Sequence, residues 1–194
     1  MPRLPYTDNG DLPAFNIFKQ LNHAPKVAGA YSRMGGMLLA RADLDPKLRE
    51  LVINAISLKL DCDYEWSHHG KWALDVGNTP DDLQALKDGA LDKLGDTERA
   101  VVAYALKVED NSVTDADIDS LRAIGLDDKQ IVELTLTAGF YGMTARFLNA
   151  MNVEVDEGNP ADFAIPKNEG TSKAREVITR RSGAEPPIGG GVPR

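Results

Sequence analysis

Cysteine is almost absent: the 194 residues hold one, Cys62. A single thiol excludes an intrachain disulfide framework and fits a reducing compartment. Basic residues are also short, with 22 Lys and Arg against 30 Asp and Glu, for a net charge of −8. That balance excludes nucleic acid gripped on a broad cationic face, which needs clustered Lys and Arg to neutralise phosphates. It leaves room for a small anionic substrate, for which one or two cations inside a pocket suffice. No apolar run is long enough to span a bilayer, and "MPRLPYTDNGDLPAF" lacks the apolar core of a secretion signal. The expectation is therefore a cytoplasmic protein with no membrane or nucleic-acid partner.

Period-two alternation is missing as well, and "FAIP" near position 165 is too short to build a sheet. What is present is helical patterning, so the predicted fold class is all-α. "LPAFNIFKQLNH" and "PKVAGAYSRMGGMLLARA" read as apolar helices, the second opened by Pro25. "PKLRELVINAISLKL" follows Asp45 with Pro46 at its first position, and "DYEWSHHGKWALDV" stops at Gly77. Thr79-Pro80-Asp81-Asp82 combines a capping hydroxyl, a proline and two acids at a helix start. "TERAVVAYALKVED", "DADIDSLRAI" behind Thr114, and the long "DDKQIVELTLTAGFYGMTARFLNAMN" complete the set. Residues 1–13 read as an arm, 14–156 as one helical domain, and 157–194 as a tail rich in Pro, Gly and charge. Such a tail buries too little apolar area to offset its own ordering, and is expected to wrap over a neighbouring subunit or stay mobile. "GNTPDDLQAL" and "GLDDKQIVEL" echo one another, a weak sign of a duplicated helical unit.

The scarce chemistry gathers in "DCDYEWSHH", which carries the cysteine and two of the three histidines. On a helix, Cys62, Glu65 and His69 share one stripe, with Trp66, Ala73 and Val76 on the same face, while Tyr64 and His68 point elsewhere. A Glu and a His four apart can hold one proton between them near neutral pH, as general acid–base chemistry requires. The same pair could equally be an ordinary surface contact of a few tenths of a kcal/mol. Cys62 reads first as buried packing, His68 as a solvated face residue, His23 as a helix-end residue, and Trp66 and Trp72 as core anchors. The preceding helix carries a polar stripe of Glu50, Asn54, Ser57 and Asp61, which either lines a pocket or meets solvent. Solvent is the favoured reading. No metal or other cofactor is expected, because Cys62, Glu65 and His69 offer at most three ligands and neither CxxC nor HExxH spacing occurs.

"RELVINAISLKLDCDYEWSHHGKWALDVGNTPDDLQAL" resembles the signature of the carboxymuconolactone decarboxylase family, which includes the alkyl hydroperoxidase D proteins. The resemblance continues through "LRAIGLDDKQIVELTLTAGFYGMTARFLNAMNVE" and upstream into "FNIFKQLNHAPKVAGAYSRMGGMLLA". It implies an all-α fold of two related halves, assembled as homotrimers or hexamers with sites near subunit boundaries. In the peroxidase branch a glutamate precedes a CxxC pair and a histidine. Those positions fall here on Glu50, Cys62, Glu65 and His69, so Glu65 stands where the second thiol would be and disulfide cycling is unavailable. Tyr64 stands where that branch carries an extra histidine. The decarboxylase side is similar in using an E-x-x-x-H pair, which Glu65 and His69 supply.

The resemblance thus implies a carbon–carbon lyase doing acid–base chemistry on a small unsaturated lactone or carbonyl compound. His69 would carry the proton, Glu65 would orient it and raise its pKa, and Glu50 would serve as second acid. Cys62 and Trp66 would line the pocket, with Tyr64 a secondary residue. Arg49 or Arg146 would meet a substrate carboxylate, and the segment holding Tyr141, Arg146 and Asn149 would face the same cavity. The competing expectations are a peroxidase working through Cys62 alone, and a non-catalytic oligomeric module.

Overall fold

The computed structural model describes residues 1–157, so the tail expected from 157 onward lies, past its first residue, outside the described residues. The helices run α1 (Asn16–Leu21), α2 (Pro25–Ala40), α3 (Pro46–Lys59), α4 (Asp63–Asp75), α5 (Pro80–Lys87), α6 (Asp96–Glu109), α7 (Asp115–Ala123) and α8 (Asp128–Met151), with a 3-10 turn at Leu91–Lys93. No strand occurs among the described residues. The all-α expectation holds. The first helix is shorter than its apolar pattern predicts, because Phe15 is extended and the Asn16 N–H is taken by Asp156 Oδ1 at 2.8 Å.

Starts and stops are strongly coded. Asp45 accepts from the Lys47 N–H ahead of Pro46, and capping boxes form at Thr79/Asp82, Thr114/Asp117 and Asp127/Gln130. At the other ends, Asp61, Gly77, Gly89, Asn111, Gly125 and Asn152 all have positive φ. Each is followed by a residue whose N–H reaches back five positions: Cys62 to Ser57 O, Asn78 to Ala73 O, Ala90 to Ala85 O, Ser112 to Lys107 O, Leu126 to Leu121 O and Val153 to Leu148 O. One closing motif, the Schellman turn, therefore ends α3 through α8. The echo in the sequence is this stop followed by an acidic helix start.

α3 is the hub, buried from Leu48 through Lys59. It packs against α4, α5, α6 and α8. One apolar cluster joins it to α6 and α8 through Val52, Ile56, Val101 and Leu134; a second joins it to α4 and α5 through Leu51, Trp66 and Leu86. Each large apolar side chain buried this way contributes roughly 1.5–3 kcal/mol. The polar stripe on α3 is a correction to the sequence reading. Glu50, Asn54 and Ser57 are buried, and only Asp61, beyond the helix, is exposed. Asn54 and Ser57 manage this by donating to the carbonyls of Glu50 and Ile53 one turn back. Neighbours on every side of α3 leave no solvent face for the stripe to occupy.

Candidate active site

Only Leu60, Asp61 and Cys62 separate α3 from α4, and the left-handed Asp61 turns the chain sharply between them. The two helices lie side by side, so Glu50 and His69 meet although nineteen positions apart. His69 Nδ1 donates to Glu50 Oε2 at 2.6 Å, and Glu50 Oε1 accepts from Arg49 Nε at 3.1 Å. On its other edge His69 Nε2 lies 3.3 Å from Glu65 Oε2, within ion-pair reach but without hydrogen-bond alignment. Glu50, Glu65 and His69 are all buried. A histidine thus sits between two carboxylates with one ring nitrogen firmly held and the other loosely engaged.

Their titration follows from this packing. Burial alone would raise Glu50, but His69 and Arg49 overcome it and hold the carboxylate below its usual range. Burial pushes Glu65 up, only partly countered by His69 and His68. His69 is drawn down by burial and up by Glu50, its hydrogen bond and Glu65, with a net rise. Glu50 is held toward its ionised form, while Glu65 and His69 are both shifted toward their protonated forms.

Glu65 and His69 open onto a cavity of about 230 Å³ whose wall includes Phe15, Tyr31, Trp72, Phe140 and Tyr141. Trp72 and Tyr141 present edge-on contacts to the His69 ring at centroid distances of 4.6 and 4.9 Å. Burial, then Glu65 and Glu50, keep the Tyr141 hydroxyl from ionising. Among the described residues, no Lys or Arg lines it. Beyond Trp72, a shallower pocket of about 290 Å³ touches Arg49 and Glu50. The Glu50–His69–Glu65 cluster therefore lies in the partition between two cavities.

His68 lies in the same cavity wall and is 7% exposed, which corrects its reading as a solvated residue. The face of α4 expected to meet water is covered by Phe15 and by the chain after α8. Phe15 contacts the His68 ring edge-on at 5.7 Å, Tyr64 stacks on it at 4.3 Å, and Nε2 lies 3.1 Å from Asp156 Oδ2. Tyr64, also buried, donates its hydroxyl to that same oxygen at 2.5 Å. Asp156 lies below its usual range: burial would raise it, and the nearby His68 ring with the hydrogen bonds from Tyr64 and the Asn16 N–H prevail.

Other expected site residues lie elsewhere. Cys62 is fully buried with Ile17, Ala145 and Leu148 and does not line the cavity; burial, then Glu65, push its thiol well above the ordinary range. Trp66 belongs to the core beside Leu51 and Leu86. Its 100° offset from Glu65 turns it toward α5 and away from the cavity. Arg49 is held by Glu50, and Arg146 reaches Glu109 Oε2 at 2.8 Å, so neither stands on the cavity wall. Asn149 donates to Leu60 O. Of that α8 segment only Tyr141 lines the cavity. The sequence reading missed His68, Trp72, Phe15, Tyr31, Phe140 and Asp156. His68 adjoins a recognised histidine, but Asp156 carries no local signal because its role comes from a contact 88 positions away. Among the described residues no group of three or more His, Cys, Asp or Glu side chains is placed to hold a metal ion.

Residues 25–107 match the Carboxymuconolactone decarboxylase family. No curated protein matches the chain in sequence. Among solved structures, an alkylhydroperoxidase AhpD core from Ralstonia eutropha JMP134, an uncharacterized peroxidase-related protein, superposes with a TM-score of 0.72 at 22% identity, covering 80% of this chain and 93% of that one. A second uncharacterized peroxidase-related protein, from Silicibacter sp. TM1040, gives 0.70 at 21% identity, with coverage of 77% and 81%. The debrominase Bmp8 gives 0.62 at 18% identity, with coverage of 87% and 84%. At such identities the superpositions speak to fold, and the family match adds the sequence evidence over the segment that contains Glu50, Glu65 and His69. The chain is thus similar in sequence to the Carboxymuconolactone decarboxylase family over residues 25–107, and its fold is that of the alkylhydroperoxidase AhpD core.

Proposed function

We propose that this chain is an acid–base enzyme acting on small, uncharged unsaturated lactones or carbonyl compounds, with His69 as the proton carrier. The observation that carries this reading is a buried histidine held between Glu50 and Glu65 at the wall of an aromatic cavity to which none of the described residues contributes a Lys or Arg. Glu50 fixes the ring through Nδ1, leaving Nε2 to take a proton from carbon. Glu65 holds the transferred proton near the cavity, and Tyr141 supplies a neutral O–H for the oxygen on which charge develops. Decarboxylation of a carboxylated muconolactone is the narrower form of this reading. It is the less favoured one, because Arg49 and Arg146 are engaged by Glu50 and Glu109. Cys62 is a poor peroxidatic thiol, since it is buried, raised in pKa and without a partner thiol.

The test is deuterium uptake from D2O at the α-carbon of α-angelica lactone, an uncharged unsaturated lactone, followed by proton NMR. Wild type and Cys62→Ser are expected to exchange well above the enzyme-free rate, and His69→Gln to fall to background, a loss of about 10²–10⁴-fold. Wild type that leaves this lactone and simple enolisable carbonyl compounds unexchanged sinks the reading. Exchange lost in Cys62→Ser but kept in His69→Gln would move the chemistry to the thiol.

We further propose self-association, as the family resemblance implies, across the outer face of α2 and α8. There Val27, Met34 and Met37 stand exposed on one helix, and Val132, Leu136 and Met143 on the other. An apolar groove of about 520 Å³ runs between these helices.

A further inference from the structure

His69 and Tyr141 present the aromatic cavity with a matched acceptor and donor. His69 Nδ1 donates to Glu50 Oε2 at 2.6 Å, so in the neutral ring Nε2 carries a lone pair and accepts. Three tyrosines line the cavity. The Tyr31 hydroxyl is paired with Thr144 Oγ1 at 3.0 Å and that of Tyr64 with Asp156. The Tyr141 hydroxyl has no hydrogen-bond partner among the described residues. Glu65 Oε2 and His68 Nε2 are sealed in the interior, but His69 Nε2 and the Tyr141 oxygen are not. The two rings meet edge-on with centroids 4.9 Å apart, which brings the acceptor and the donor to the same part of the wall.

The walls and the room they leave define the rest of the ligand. Tyr31 stacks on Phe140 at 4.8 Å, and Trp72 stands edge-on to His69 at 4.6 Å. A flat aromatic ring gains edge-on and offset-stacked contacts there that a saturated ring of equal volume lacks. A Cβ on Gly35 would meet Phe140 Cζ at 3.2 Å, whereas one on Gly36 meets nothing within 4 Å, so the lining is open at Gly36. An apolar cavity of about 150 Å³ suffices for benzene, and the about 230 Å³ here fits one substituted ring. A carboxylate would be buried without a cation from the described residues. A carbonyl oxygen only accepts and would satisfy Tyr141 alone, but a hydroxyl accepts from Tyr141 and donates to His69. We propose that the cavity binds single-ring phenols, the phenol oxygen accepting from the Tyr141 hydroxyl and its hydrogen going to His69 Nε2. Such binding needs no turnover at His69, so it stands or falls apart from the acid–base reading.

The experiment titrates full-length protein into 4-fluorophenol, fluorobenzene and 4-fluorobenzoate and reads the fluorine NMR line widths and shifts. Wild type is expected to bind 4-fluorophenol about tenfold or more tightly than either of the other two. Tyr141→Phe is expected to weaken 4-fluorophenol about tenfold and to leave fluorobenzene unchanged. Gly36→Leu is expected to abolish binding of both, while its thermal melt holds or rises because glycine is the poorer helix former. Wild type that leaves the 4-fluorophenol signal unchanged overturns the proposal, and so does equal affinity for 4-fluorophenol and either other probe. Binding that survives both Tyr141→Phe and Gly36→Leu also overturns it, and moves the ring to another site such as the groove between α2 and α8.

Discussion

Glu65 is the residue on which the site's behaviour turns. Burial raises its folded pKa above its unfolded value, so its contribution to stability is complete below about pH 4.3 and is lost as pH rises toward the folded value. Glu50 runs the opposite way. Its lowered pKa gives a contribution present above about pH 4.3 and lost as pH falls through the folded value. Glu65→Gln should therefore raise the Tm at pH 8 while leaving it nearly unchanged at pH 4, since a neutral amide replaces a carboxylate that is costly only when ionised. The same variant should lose lactone exchange about tenfold or more, because an amide cannot hold the transferred proton. Melting curves at the two pH values and the exchange rate at neutral pH check both parts. A gain in stability with a loss of turnover is what a buried functional carboxylate produces.

Helix ends decide much of the architecture. A Cβ built on Gly77 or Gly125 meets nothing within 4 Å, yet both have φ near +95 to +99°. Gly77→Ala and Gly125→Ala should each cost about 1–2 kcal/mol through backbone conformation alone, readable as a lower urea midpoint with an unchanged slope. These elements were legible in the sequence because their signals are local: Asp45-Pro46, Thr79-Pro80-Asp81-Asp82 and Gly77 mark ends without help from the rest of the fold. The site was only half legible. Glu65 and His69 lie four apart on one helix, and helical periodicity alone brings them together. Glu50 came from family resemblance, and its burial went against the solvent reading of its stripe, because periodicity cannot tell a solvated face from one covered by a third helix. His68 was set aside for the same reason. The residues that cover it, Phe15 and Asp156, lie at opposite ends of the described chain.

At the scale of the whole molecule, the apolar outer face of α2 and α8 is the feature that no other described residue covers. Val132, Leu136 and Met143 recur at helical spacing on α8, 45–56% exposed, which is a face patterned for contact. The self-association proposed above is expected in light scattering as a mass of several chains, and Leu136→Glu should shift the mass toward that of one chain without loss of helical signal. A wild-type mass of one chain at micromolar concentration would remove the proposal. No helix among the described residues is long and apolar enough to cross a membrane.

The turn at Leu60–Cys62 has one more consequence. It makes the proposed proton relay a property of a single hairpin, because Glu50, Glu65 and His69 all belong to α3 and α4. The cavity they serve is shaped by other parts of the chain: Phe15 before α1, Tyr31 on α2, Phe140 and Tyr141 on α8. On the acid–base reading proposed above, chemistry and selectivity would thus sit on separate parts of the chain. On that reading, substitutions in α2 or the N-terminal segment would change which molecule fits the cavity while leaving Glu50, Glu65 and His69 in place.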